Sequence, residues 1–178
     1  MEKNEIRNMI LIANPRACIG CRSCELACSF YHYKEFNPAR AFVHIVKDEE
    51  KGLDIPVICN HCDQAPCMSA CPVEAIKRDS EINAVIIDSS KCIGCRACIS
   101  ACPFGAIMID PKTGDINKCD LCGGNPRCAS ACKQGAIIYS RKDVATRILA
   151  RYAARKTMDI LTSDTKKKNK AHEQKRTQ

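Results

Sequence analysis

The chain has 178 residues, sixteen of them cysteine, with no tryptophan and only eight phenylalanine or tyrosine residues. That length allows one domain or two small ones, and so few large rings leave a thin apolar core for a chain this long. Twelve of the 28 basic residues and four of the 20 acidic ones lie in 141–178, which leaves sixteen of each before it, so the whole formal charge of +8 sits in the C-terminal segment. Cysteine at this density belongs to a disulfide framework or to a metal scaffold.

The N-terminal residues favour the metal reading. Met1–Glu5 carries charges of both signs, no apolar run of signal-peptide length follows, and the apolar stretch Met9–Ala13 is too short to cross a membrane. The expected location is cytoplasmic, where thiols stay reduced, with no direct membrane span.

Taken in order, the predicted elements repeat. Short β-type runs fall at Met9–Ala13, Ala41–Val46, Ile55–Ile58, Ala84–Asp88, Ala106–Asp110, Asp115–Asn117 and Ala136–Tyr139. Lys47–Asp54 and Lys77–Ile82 read as polar loops, and Pro111–Gly114 as a turn. Between the runs lie four cysteine groups: Cys18-x2-Cys21-x2-Cys24-x3-Cys28, Cys59-x2-Cys62-x4-Cys67-x3-Cys71, Cys92-x2-Cys95-x2-Cys98-x3-Cys102 and Cys119-x2-Cys122-x5-Cys128-x3-Cys132. The last three share an ending, a cysteine followed four and five residues later by Ala and Ile. The unit is strand, ligand loop, one or two helical turns, strand. Lys142–Leu161 reads as an amphipathic helix, with Val144, Ala145, Ile148, Leu149 and Tyr152 on one face, Arg147, Arg151 and Arg155 on another, and Ser140 as its N-cap. The lysine-rich segment 164–178 is expected to be disordered.

Soft thiolates at this spacing suit a cubane iron–sulfur cluster. A Cys-x2-Cys-x2-Cys loop wraps one side of the cluster, so three sulfurs meet three irons, and the fourth ligand must come from elsewhere. In bacterial two-cluster ferredoxins the fourth cysteine of each run serves the other cluster. Zinc is the competing reading, because Cys-x2-Cys also builds zinc sites, but zinc has no use for a third cysteine at x2 and a fourth at x3. Spacing alone leaves open whether the first group pairs with the second or with the fourth. His61, between Cys59 and Cys62, reads as a neighbour of the ligands rather than a ligand. His32, His44 and His172 show no constellation, and no catalytic triad, phosphate loop or carboxylate pair is evident. Ile19, Ile93, Ala97 and Ile99 are placed to shield clusters from water. Four oxidised clusters on thiolates bring about −8, so the loaded body is acidic beside a basic tail.

These residues resemble the four-cluster ferredoxin-like electron-transfer subunits of molybdopterin and tungstopterin oxidoreductases, formate dehydrogenases and hydrogenase complexes. The resemblance covers roughly residues 9–140. Two stretches, Cys28–Pro38 and Cys119–Cys128, are similar to the small subunits of tungsten aldehyde:ferredoxin oxidoreductase-type enzymes. The resemblance implies an α+β fold of two bacterial-ferredoxin-like halves in 1–140, the inner half at 50–114 inserted in the other, followed by a helix at 141–163 and the tail. It implies four [4Fe–4S] clusters, with no catalytic residue in this chain. The ligand sets it implies are Cys18, Cys21, Cys24 and Cys132; Cys119, Cys122, Cys128 and Cys28; Cys59, Cys62, Cys67 and Cys102; and Cys92, Cys95, Cys98 and Cys71. The implied partners are a large catalytic subunit with a tungsten or molybdenum pterin and ferredoxin or another redox protein, in a hetero-oligomer without nucleic acid. The alternatives are a subunit of a hydrogenase or formate dehydrogenase complex and, from another class, a zinc-dependent nucleic-acid-binding module.

Because inorganic clusters would supply the core that aromatic residues do not, the iron-free chain is expected to be largely unfolded. A cooperative thermal transition in iron-free protein would contradict this.

Overall fold

A computed structural model describes the backbone of residues 6–176 and the side chains of residues 6–162. It divides into two units, Met1–Arg141 and Lys142–Gln178.

The first unit mixes short strands and short helices. Among the described residues eight strands form four separate two-stranded antiparallel sheets. The outermost pair joins the ends of the unit: β1 (Met9–Ala13) lies against β8 (Ile137–Arg141), with Leu11 opposite Tyr139. The other three pairs are β2 (His44–Asp48) with β3 (Leu53–Val57), β4 (Ile76–Arg78) with β5 (Val85–Ile87), and β6 (Ile107–Ile109) with β7 (Ile116–Lys118). Helix α1 (Ser23–Tyr33) packs on α4 (Arg127–Ala131), and α2 (Pro66–Ser69) packs on α3 (Ala97–Ala101). Through these contacts the first cysteine group meets the fourth, and the second meets the third.

Two apolar cores follow the same division. One gathers Leu11, Val43, Ile45, Ile58, Leu121 and Ile137 around cysteines of the first and fourth groups. The other gathers Ala65, Ile76, Val85, Ile107 and Ile116 around cysteines of the second and third. The shared Ala-Ile ending of the repeats has a packing reason. Ala75, Ala106 and Ala136 are buried, as are Ile76, Ile107 and Ile137, each at the entry to a strand.

Several expectations shift. The loop expected at Lys47–Asp54 shrinks to a turn at 49–52, because Lys47 pairs with Asp54 in the β2–β3 ladder and their side chains sit 3.5 Å apart. Lys77 and Arg78, expected in a loop, belong to β4; polar composition hid a strand with only Ile76 buried. Ser140 is not a helix cap, since it lies in β8 opposite Ile10. The helix α5 runs Lys142–Arg176, past the end expected at 163. Of the segment 164–178, expected to be disordered, the backbone of 164–176 continues α5, while 177–178 lie outside the described residues. Among the described residues no helix is long and apolar enough to cross a membrane.

The two cores are tied by a buried ion pair that the sequence does not advertise. Arg40, after α1, donates from Nε to both carboxylate oxygens of Asp110, at 3.1 and 3.0 Å, and from NH2 to Oδ2 at 2.7 Å. Asp110 follows β6 and is 1% exposed. The backbone N–H groups of Lys112 and Thr113 also donate to it. The Arg40 guanidinium stacks 3.6 Å from the Tyr33 ring centroid, and the Tyr33 hydroxyl donates to Asn117 Oδ1 at 2.8 Å. Burial opposes ionisation of Asp110, but the Arg40 and backbone hydrogen bonds outweigh it and hold the carboxyl well below the usual carboxylate range.

Removing Asp110 leaves the buried Arg40 guanidinium with only the Glu35 carboxylate, at 3.3 Å, so Asp110→Ala is expected to cost about 3 kcal/mol in the iron-loaded chain, read by thermal or denaturant unfolding. Since the folded-state pKa is depressed, the Asp110 contribution is complete above the unfolded value of about 3.9 and is lost as pH falls toward the folded one. The stability gap between wild type and variant is therefore expected to shrink on acidification below about pH 4, and a gap that widens there would contradict the account.

Candidate metal centre

Each ligand loop curves the same way. The residue before the second cysteine has positive φ in all four groups: Gly20 at 62°, His61 at 45°, Gly94 at 68° and Leu121 at 56°. A left-handed residue there turns the chain back on itself, which lets the flanking cysteines face one point. Glycine takes that conformation without strain. At the other two positions a side chain compensates: His61 Nδ1 accepts from the Val85 N–H at 3.0 Å, and Leu121 is 2% exposed in the first core.

The loops bring the sulfurs together in quartets. Cys18, Cys21, Cys24 and Cys132 line one cavity, closed by Ile45, Pro56, Ala136 and Ile137. Cys59, Cys62, Cys67 and Cys102 line a second, with His61, Val85 and Lys118. Cys28, Cys119, Cys122 and Cys128 line a third, which Cys59 also borders. Cys71, Cys92 and Cys98 pack together in the second core, and Cys95 is exposed. Each of the three cavities takes three cysteines from one group and one from a distant group.

Backbone amides point at the sulfurs. Phe42 N–H donates to Cys28 at 3.2 Å, Ala75 to Cys71 at 3.3 Å, Ala106 to Cys102 at 3.5 Å, Leu121 to Cys119 at 3.4 Å and Ile137 to Cys132 at 3.4 Å. The alanine of the repeated ending is thus an amide donor to its own cysteine in the second and third groups. Such donors stabilise thiolate and help set a cluster's potential.

Thiolates in these cavities would need a cation beside them. Burial pushes the Cys24 and Cys28 thiols up to about 12. Burial also raises Cys119 and Cys128, with neighbouring cysteines adding to the effect. Thiolates at these positions are untenable unless iron compensates them, and four convergent soft sulfurs are the donor set that iron–sulfur clusters take. The residues present therefore fit [4Fe–4S] groups.

Three residues around the sulfurs escaped the sequence reading. His32, expected to stand alone, has Nε2 3.4 Å from Asp120 Oδ1 and 3.9 Å from Cys122 Sγ, and all three ligand atoms lie within 4.8 Å of one another. Its partners are some 90 positions away, so no local spacing could reveal them. Arg78 laces the second ligand loop, donating to the carbonyls of His61 at 3.4 Å, Asp63 at 3.1 Å and Asn83 at 3.1 Å. Lys118 is 5% exposed, and its Nζ donates to Cys59 Sγ at 3.1 Å. His61 stays beside the ligands as expected, with burial first and Lys118 second holding its imidazole down to about 3, so it is neutral. Ile19 and Ile93, expected to shield clusters, are 60% and 65% exposed beside the exposed cysteines Cys21 and Cys95.

Residues 51–140 match the family model described as a 4Fe-4S dicluster domain, and residues 15–31 match one described as a 4Fe-4S binding domain. The chain belongs to the 4Fe–4S dicluster ferredoxin-like family of electron-transfer subunits. It is 39% identical over 127 residues to the polyferredoxin-like subunit of an aliphatic sulfonate oxidoreductase from Pyrococcus furiosus, covering 71% of this chain and 72% of that protein. It is 34% identical over 154 residues to the thiosulfate reductase electron transfer subunit PhsB of Salmonella typhi, covering 79% of this chain and 80% of that protein. Among solved structures, the active site complex BamBC of benzoyl coenzyme A reductase as isolated aligns with a TM-score of 0.45 at 25% identity, covering 74% of this chain and 76% of that one. Family members of this kind are iron–sulfur electron-transfer subunits of oxidoreductase complexes.

The glycines of the first and third loops separate two effects. Gly94 has open space where a Cβ would stand, so Gly94→Ala is expected to cost only the left-handed strain, about 1–2 kcal/mol. At Gly20 the same carbon would run into the Asp54 carboxylate and disturb the Lys47–Asp54 pair. Gly20→Ala is expected to lose visible iron–sulfur absorption at clearly lower temperature than Gly94→Ala. Equal losses would contradict the close approach.

Proposed function

We propose that this chain holds four [4Fe–4S] clusters in a row and relays electrons between a catalytic oxidoreductase subunit and a second redox protein. The observation that carries the proposal is the make-up of the cysteine quartets, three sulfurs from one loop and one from a distant repeat. The ligand sets are Cys18, Cys21, Cys24 with Cys132; Cys119, Cys122, Cys128 with Cys28; Cys59, Cys62, Cys67 with Cys102; and Cys92, Cys95, Cys98 with Cys71.

Supporting the row is the order in which one quartet influences the next. Cys24 raises the pKa of Cys128, Cys59 raises that of Cys119, and Cys67 raises that of Cys98, so each quartet lies within electrostatic reach of its neighbour. Cys21 and Cys95, at opposite ends of that order, are the exposed cysteines. Supporting the inserted-half organisation are the β1–β8 pairing at the chain's extremes and the packing of α2 on α3 within them. On this reading 1–140 is the four-cluster domain, with its inner half at 50–114.

The partner is a large subunit that does the chemistry, and this chain carries no substrate site. The short loops Cys28–Pro38 and Cys119–Cys128 favour a tungstopterin aldehyde oxidoreductase-type partner, with ferredoxin at the other end, in the cytoplasm. The similarity to subunits of sulfonate oxidoreductase and thiosulfate reductase makes a sulfur-oxyanion oxidoreductase the second reading of the partner.

Holoprotein is expected to contain about sixteen iron atoms per chain and to co-purify with a larger subunit carrying tungsten or molybdenum. Nickel in its place would move the chain to a hydrogenase complex, and zinc without iron would end the proposal. Cys132→Ser is expected to alter one cluster's electron paramagnetic resonance signal. The remaining ligands of that cluster, located by Cys21→Ser giving the same change, identify it. If Cys122→Ser rather than Cys21→Ser reproduces the Cys132→Ser spectrum, the pairing is wrong.

A further inference from the structure

Lys118 ends β7, immediately before the first cysteine of the fourth group. It is 5% exposed, and its chain runs into the space between the two cores. Burying an ammonium costs several kcal/mol unless an anion and enough acceptors surround it. Among the described residues no carboxylate lies within ion-pair reach of it. Its partners are the Val85 carbonyl, the Cys119 carbonyl at 3.4 Å and Cys59 Sγ at 3.1 Å. An ammonium has three N–H donors and no acceptor, and here three acceptors meet three donors. The only partner that can carry formal negative charge is the sulfur of Cys59.

The position of Cys59 gives that contact its meaning. Cys59 lines the cavity of its own quartet and also borders the cavity of Cys28, Cys119, Cys122 and Cys128. Lys118 lines the first of these and is joined by its own backbone to Cys119 of the second. One buried positive charge thus stands at the junction between the two halves. His61, the other basic side chain lining that cavity, is neutral, and Arg78 faces the loop carbonyls.

We propose that Lys118 is a potential-setting residue for the cluster bound by Cys59, Cys62, Cys67 and Cys102, and that it biases electrons toward the junction between the halves. This rests on the four-cluster reading above. Reduction adds one negative charge to a cluster, and a fixed positive charge hydrogen-bonded to one of its sulfurs stabilises the reduced form more than the oxidised one. The lysine therefore raises the potential of that cluster above the value its backbone amides alone would set. Its influence on the two outermost clusters, ligated through the exposed Cys21 and Cys95, is small, because neither quartet touches it.

The test is a redox titration of the full chain with its partner subunit, followed by electron paramagnetic resonance, on wild type, Lys118→Met and Lys118→Arg. Lys118→Met removes the charge while keeping an unbranched side chain. The midpoint of the Cys59 cluster is expected to move furthest to more negative potential, with the two outermost unchanged, and Lys118→Arg is expected to lie near wild type. Iron content keeps the two proposals apart. Wild type without four clusters overturns the four-cluster reading, whereas four clusters and unmoved midpoints in Lys118→Met overturn the role of Lys118. Where Lys118→Met does not retain its iron, wild-type protein labelled with ¹⁵N at lysine Nζ decides. Pulsed resonance on the reduced protein is expected to show one ¹⁵N coupling to one cluster, and its absence overturns the proposal.

Discussion

A thiolate buried in protein needs positive charge beside it, and this fold is arranged around that requirement. Seven of the sixteen cysteines are buried and seven half-buried; Lys118 donates to the Cys59 sulfur and Arg127 lies within electrostatic reach of Cys122. Burial pushes several of these thiols far above their ordinary range, so thiolates there need a compensating positive charge. Iron supplies that charge and fills the cavity. The apolar residues lining the two cores are small or branched aliphatics, and they do not close the cavities by themselves. Folding and metal loading are in that sense one process.

The same requirement explains the economy of the secondary structure. Each strand pair is short, and the helices α2, α3 and α4 each span little more than a turn. Elements this brief would not persist in isolation. Their job is to deliver one sulfur from one repeat to the loop of another, and a two-stranded ladder such as β1–β8 does that across the whole length of the unit. The Arg40–Asp110 pair works at the next level, fixing the segment after α1 against the turn after β6. It holds cysteine sets together that share no ligand.

The sequence disclosed the repeats because their constraints are local. Cysteine spacing, the left-handed glycines at 20 and 94 and the Ala-Ile ending are all written within a few residues of one another, and so are apolar strands such as Met9–Ala13. What stayed hidden was either long-range or chemically disguised. Arg40 and Asp110 are 70 positions apart, His32 and Cys122 are 90 apart, and Lys118 meets Cys59 across 59 residues. Nothing about a lysine next to a cysteine in sequence says that it is buried against a different one. The strand at Ile76–Arg78 was disguised by its charge, since Lys77 faces solvent and Arg78 spends its guanidinium on the carbonyls of the neighbouring loop.

The departures from the regular spacing acquire a reason when burial is laid over them. The first and third groups keep the x2-x2-x3 pattern, carry glycine at the left-handed position and expose their second cysteine. The second and fourth groups are stretched, carry His61 and Leu121 at that position, and bury more of their sulfur. The difference lies at the second cysteine: Cys21 and Cys95 are exposed, Cys62 is half-buried and Cys122 is buried, whereas the third cysteine is buried alike in all four groups. On the four-cluster reading, the regular loops face outward where other proteins can approach within tunnelling distance. The stretched loops face one another across Cys59 and Lys118, insulated from water. An electron entering at either surface then crosses an interior whose low dielectric makes each nearby charge count more than it would outside. On that reading a single lysine, 5% exposed between the loops, can govern the crossing.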